Sequence, residues 1–167
     1  MRWLTADQHF MHRNIMEFAK RPFASIEDHD EALIDAWNAN VRERDEVWVV
    51  GDVFFSNDAW EVRRMMRRLR GEKHLVLGNH DGTRARQVGF GVWDSVQVTA
   101  QVDGVTLCHD ALGWAIKNGW QEGWPRMFCG HVHQNWRVTW GRFVNVGVDQ
   151  WDYAPVAWEV ASELFKD

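Results

Sequence analysis

Gly78-Asn79-His80-Asp81 follows the apolar run Leu75-Val76-Leu77, so a buried-type strand delivers an amide, an imidazole and a carboxylate in succession. Four other apolar runs end in the same chemistry. Asp7 and His9 follow Trp3-Leu4-Thr5-Ala6, and Gly51-Asp52 follows Val47-Trp48-Val49-Val50. His109 follows Val105-Thr106-Leu107-Cys108, and Gly130-His131-Val132-His133 follows Met127-Phe128-Cys129. Five loops that each offer polar ligands directly after a strand read as one site. Carboxylates, imidazoles and an amide oxygen, with no thiolate required, suit borderline divalent ions: manganese first, with iron, zinc or nickel as alternatives. Asp7, His9, Asp52, Asn79, His109, His131 and His133 are too many ligands for one ion with an open position. They suit two ions if one carboxylate is shared. His131 and His133, two apart on an extended segment, would face opposite sides of an ideal strand, and a bend at Gly130 would send each to a different ion. Two ions roughly 4 Å apart can acidify a shared water and neutralise phosphoryl oxygens. A protonated His80 would stabilise the developing charge or protonate a leaving group.

The elements that must position these residues read as an α/β chain. Residues 2–6 form a strand, Ile15–Phe18 a helical turn that ends before Arg21-Pro22, and Ser25 the N-cap of a helix with Leu33, Ile34, Trp37 and Val41 on one face. Val47–Val50 is a strand, Asn57-Asp58 caps a helix running to about Leu69, Gly71 ends it, and Lys73–Leu77 is the next strand. Arg63, Arg64, Arg67, Arg68 and Arg70 form a basic face on that second helix, read as a solvated surface more readily than as a patch for an acidic partner. In the second half, Val92–Val102 alternates and meets Val105–Cys108 across Asp103-Gly104, a type I′ hairpin pair. Met127–Gly130, Trp136–Trp140, Phe143–Val146 and Val156–Val160 are further strands. The result is two sheets packed face to face with helices outside.

The chain has 167 residues, 46% hydrophobic and 26% charged, which predicts one domain over residues 1–167. Its net charge of −5 argues against holding duplex nucleic acid by phosphate neutralisation, yet leaves a small phosphoester or nucleotide substrate open. No apolar run approaches the roughly 20 residues that span a bilayer, so no membrane partner and a cytoplasmic location are expected. Cys108 and Cys129 read as buried, reduced cysteines. Trp114, Trp120 and Trp124 lie among Gly113, Gly119 and Gly123 and fit neither helical nor strand period. They read either as core or as an aromatic rim, with Trp120 and Trp124 stacking on a substrate base. Arg13, Asn14 and Arg21 are candidates for holding substrate phosphate.

The ordered blocks Asp7-x-His9, Gly51-Asp52, Gly78-Asn79-His80-Asp81, His109 and Gly130-His131-x-His133 resemble the signature of the calcineurin-like metallophosphoesterases. The wording His9-Phe10-x-His12-x-Asn14-Ile15, Arg21-Pro22-Phe23 and Asn145-Val146-Gly147 is similar to the small single-domain bacterial and phage branch. The resemblance implies a four-layer α/β/β/α sandwich. It implies one metal on Asp7, His9 and His133, a second on Asn79, His109 and His131, and Asp52 as the bridge. It places His80 at the substrate phosphate with Asp81 orienting its imidazole. The expected activity is phosphodiester hydrolysis by a metal-bridging hydroxide. Hydrolysis of nucleotides or other phosphomonoesters is the alternative, and a non-catalytic scaffold of the same fold is the third reading. Two departures stand out: Asp110-Ala111-Leu112 follows His109 where the family often has a proline, and Met11 stands where relatives commonly have glycine.

Overall fold

A computed structural model describes residues 1–119 and 123–166. In chain order the elements are β1 (Arg2–Thr5), α1 (Ile15–Phe18), α2 (Ile26–Asn40), β2 (Glu46–Val50), α3 (Ala59–Met66), β3 (Glu72–Val76), α4 (Arg84–Phe90) and β4 (Ser95–Gln97). There follow β5 (Ala100–Val102), β6 (Val105–Leu107), α5 (Ala111–Asn118), β7 (Met127–Cys129), β8 (Val138–Thr139), β9 (Phe143–Asn145), β10 (Val156–Ala157) and α6 (Trp158–Ser162). The fold is α/β with two mixed sheets of five strands, in the orders β10-β1-β2-β3-β4 and β5-β6-β7-β9-β8.

Strand alternation divides the core. On β2, Val47 and Val49 pack with Leu33, Ile34 and Trp37 of α2 and Val62 and Met66 of α3. Trp48 and Val50, one residue out of phase, instead join Val76, Leu107, Phe128 and Val144 in a cluster that draws on both sheets. A third cluster joins Ala111 and Ala115 of α5 to Met127, Cys129 and Phe143. The expected caps form: the Ser25 hydroxyl accepts from Asp28 N at 3.0 Å, and Asp58 accepts from Trp60 N at 2.7 Å. Asp103 and Gly104 both adopt positive φ, 48° and 78°, as a type I′ turn requires.

Three stretches differ from the sequence reading. The alternating run from Val92 to Val102 splits: β4 pairs with β3 in the first sheet, and β5 pairs with β6 in the second. Alternation marks a half-buried strand but not which sheet it joins. Val156–Val160 is two strand residues antiparallel to β1 followed by α6. The segment after His109, read without helical period, carries α5, capped by Asp110 accepting from Gly113 N at 2.7 Å. Both cysteines are buried and unbridged. Among the described residues no helix is long and apolar enough to cross a membrane.

The registers set the site. Thr5 pairs with Val49 and Val49 with Leu75, so the C-terminal ends of β1, β2 and β3 lie level. In the second sheet Leu107 pairs with Phe128 and Cys129 with Asn145. A parallel bridge between Ala6 and Gly147 brings the end of β1 beside the end of β9. The loops after five strands therefore open at one place.

Candidate metal centre

Two trios of side chains converge there. Asp7, His9 and His133 each offer a ligand atom within 4.8 Å of the others, and so do Asp52, His109 and His131. Asn79 joins the second trio, its Oδ1 lying 2.9 Å from His131 Nδ1. Asp52 stands between the trios. Its Oδ2 is 3.2 Å from His109 Nε2 and 3.8 Å from His9 Nε2, while its Oδ1 accepts from His80 N at 2.9 Å.

The backbone is bent to achieve this. Asp7, His9, Asp52, His131 and His133 all have φ between 46° and 72°, the left-handed region that L-residues with a Cβ enter at a cost of about 1–3 kcal/mol each. Five such outliers thus fall on residues of the two trios. The glycines are steric requirements: a Cβ on Gly130 would lie 2.5 Å from Asp7 Oδ2, and one on Gly78 would overlap Asp52 Oδ1.

Three imidazoles of the trios are fixed through Nδ1. His109 Nδ1 is 2.7 Å from Val50 O, His133 Nδ1 is 2.8 Å from Asp149 Oδ2, and His9 Nδ1 is 3.1 Å from His12 Nδ1. An acceptor at Nδ1 puts the proton there and turns an Nε2 lone pair to the site, the arrangement found around histidine ligands. His9 Nε2 and His109 Nε2 are buried with no hydrogen-bond partner, Asp52 Oδ2 lying close to His109 without hydrogen-bond geometry. Orphaned buried nitrogens are costly, and a cation held by these donors would satisfy both. The residues present fit such ions.

Charge on these side chains follows burial and neighbours. Burial drives the His9 imidazole down to about 2. Burial opposes charge on His109 too, but the adjacent Asp52 and Asp7 carboxylates win and raise it to about 9. Against its own burial, Asp52 is held at about 2 by His109 and the His80 amide. Burial pushes Asp7 up.

His80 lies at the solvent side, 44% exposed, with Nε2 4.0 Å from Asp52 Oδ2 and its ring 5.6 Å from that of His9. Asp81 does not face that imidazole. It is buried and accepts from Val53 N at 3.1 Å, Asp52 N at 2.9 Å and Gly78 N at 2.7 Å, so it ties the second and third loops together. Arg21, expected at substrate phosphate, is also buried. Its guanidinium donates to Asp7 O at 2.6 Å, Gln8 O at 2.8 Å and both Asp149 oxygens at 2.8 Å, and it is a structural tie under the first loop. Trp124, expected at a substrate base, is buried in the core and stacked on Phe143 at 5.5 Å and 7°. Trp120 lies outside the described residues. Arg13 and Asn14 are exposed, and Arg13 Nη2 is 3.6 Å from Glu27.

Sequence reasoning missed His12 and Asp149. His12 stacks on Phe55 with ring centroids 3.8 Å apart and supports His9; its position in the string around His9 was the available signal. Asp149 joins Arg21 to His133 from a 3₁₀ turn, Val148–Gln150, and no motif marks it.

The molecule is thus an α/β protein whose two sheets carry a paired set of potential metal ligands at their converging strand ends. Its sequence is 30% identical to the uncharacterized protein MJ1445 of Methanocaldococcus jannaschii, over 98% of this chain and 90% of that protein. The chain belongs to the same family as MJ1445. It is also similar to the Gene 66 protein of Mycobacterium phage L5, 34% identical over 48% of this chain and 39% of the phage protein. The crystal structure of the protein of unknown function AQ665 from Aquifex aeolicus shares the fold, with a TM-score of 0.71 and 20% identity over 98% of both chains. No family model matches the sequence.

Proposed function

We propose that this chain is a dinuclear metal-dependent phosphoesterase of the calcineurin-like superfamily, acting on small phosphodiesters. The observation that carries the reading is the pair of ligand trios meeting at Asp52, with Nε2 of His9 and His109 buried and unpartnered between them. Asp7, His9 and His133 would hold one divalent ion, Asn79, His109 and His131 the other, and Asp52 would bridge. A cluster drawn from both sheets, with one cluster against α2 and α3 and another against α5, supports the corresponding four-layer sandwich in a single domain. When bound, two such ions supply Lewis acidity that acidifies a water and neutralises phosphoryl charge.

The chain's own residues do the rest. His80, exposed beside Asp52, donates a hydrogen bond to the phosphoryl group or a proton to the departing alkoxide. Asp81 keeps the Asp52 and Gly78 loops in register, so that carboxylate and imidazole stay 4.0 Å apart. Arg21 and Asp149 orient His133 from behind.

The test is hydrolysis of bis(p-nitrophenyl) phosphate by metal-stripped protein with Mn²⁺ added back. Restored activity in the wild type and loss by about a hundredfold or more in Asp52→Asn are expected. Full activity in that variant would remove Asp52 from the bridge, and a strong preference for p-nitrophenyl phosphate would overturn the diester assignment.

A further inference from the structure

Beside the ligand trios lies a cavity of about 680 Å³ between α2 and α3, lined in part by Met11, Ile26, Phe55 and Met65. None of the trio residues lines it, yet Phe55 belongs to both places. Its ring is 5.1 Å from His80, 6.2 Å from His9 and stacked on His12. Met11 is held at the mouth by its own backbone: φ is 63°, and its N–H donates to Asp30 Oδ2 at 3.0 Å. A group esterified to a phosphate at Asp52 would pass Phe55 into this space.

The charges around the cavity say what it takes. Arg68 is committed to Glu31 through two bonds of 2.5 and 2.6 Å, and Arg13 lies 3.6 Å from Glu27. Arg64 lies over the Trp60 ring at 5.2 Å, and Glu61 accepts from the Ser56 hydroxyl at 2.8 Å. Arg13 and Arg68 are thus each set against a carboxylate, and Asp30 and Glu61 add two further acids, so four acidic and three basic residues line the wall, which disfavours an anionic group and leaves Met11, Ile26, Phe55 and Met65 as its apolar surface. The volume is in the range of cavities that bury a drug-sized group, and several times larger than a methyl ester would fill.

On the reading of the site as a phosphodiesterase, we infer that this cavity is the subsite for one ester group of the substrate, an uncharged, ring-bearing alcohol. The subsite lies at Phe55 and Met65.

The experiment compares thymidine 5′-monophosphate with methyl phosphate as inhibitors of bis(p-nitrophenyl) phosphate hydrolysis. Thymidine 5′-monophosphate presents an uncharged nucleoside on a phosphate; methyl phosphate presents almost nothing. In the wild type the nucleotide's inhibition constant is expected to be at least about tenfold lower. In Met65→Trp, which fills the cavity, and in Phe55→Ala, which removes its shared wall, the ratio of the two constants should fall toward one. Equal constants in the wild type, or a ratio that survives both substitutions, would overturn the subsite while measured hydrolysis leaves the phosphodiesterase standing. Absence of hydrolysis in metal-restored wild type would overturn the phosphodiesterase reading, and the subsite with it.

Discussion

His12 shows how far the site extends beyond the residues that would touch an ion. Burial and the nearby His80 push its imidazole below the ordinary value, so at neutral pH it offers an acceptor to His9 Nδ1–H. His12→Ala should therefore weaken binding of Mn²⁺ by about 10–100-fold, the usual effect of removing a group behind a ligand. Calorimetric titration of the metal-stripped protein measures it, and unchanged affinity would reduce His12 to a packing residue. At this scale the candidate ligand types were legible in the sequence because each follows an apolar strand within four residues. The supporting partners were not. Arg21 and Asp149 are 128 residues apart, and nothing local to either says that they meet, or that an arginine beside a proline lies buried under Asp7 instead of facing solvent. Trp124 carried the opposite lesson: its neighbours suggested a rim, and its stacking on Phe143 makes it core.

Among elements, the level ends of β1 and β2 depend on Asp45. It is buried just before β2, and one carboxylate accepts from the Met1 amine at 2.7 Å, Trp3 Nε1 at 2.9 Å and Arg42 N at 3.0 Å. The amine first, then the Arg42 amide and Trp3, hold its pKa down at about 2. A carboxylate depressed in the folded state stabilises above its unfolded pKa of about 3.9 and loses that contribution as pH falls through the folded value. Asp45→Asn should thus lower the urea midpoint near neutrality, and the gap from wild type should close between about pH 4 and pH 2. A gap constant down to pH 2 would rule out the carboxylate's charge as the cause. Elements were legible in the first half, where β2, β3 and the caps of α2 and α3 follow local rules. They were less so from Val92 onward. There β4, β8 and β10 are two or three residues long, too short for periodicity, and their sheet is chosen by distant partners such as β1.

For the whole molecule, stability and site geometry rest on the contact between the sheets. Phe128 is fully buried there, its ring 4.9 Å from Trp158 and 5.1 Å from Phe165, one strand residue and a glycine before His131. Phe128→Ala should destabilise by about 3–5 kcal/mol in urea unfolding, and a loss under about 1 kcal/mol would mean that the sheets dock without it. The division of labour between the sheets also governs how the protein is made. Asp7 accepts from His131 N at 3.0 and 3.1 Å across 124 residues of sequence, and each trio takes members from the ends of both sheets. On the ribosome β1 to β4 of the first sheet emerge well before β6 to β9 of the second, and β10 joins the first sheet last. Until β7 follows, Asp7 and Asp52 are single carboxylates in water, with neither trio able to form. The chain therefore cannot assemble its paired sites one at a time: both close together, late, when the second sheet docks.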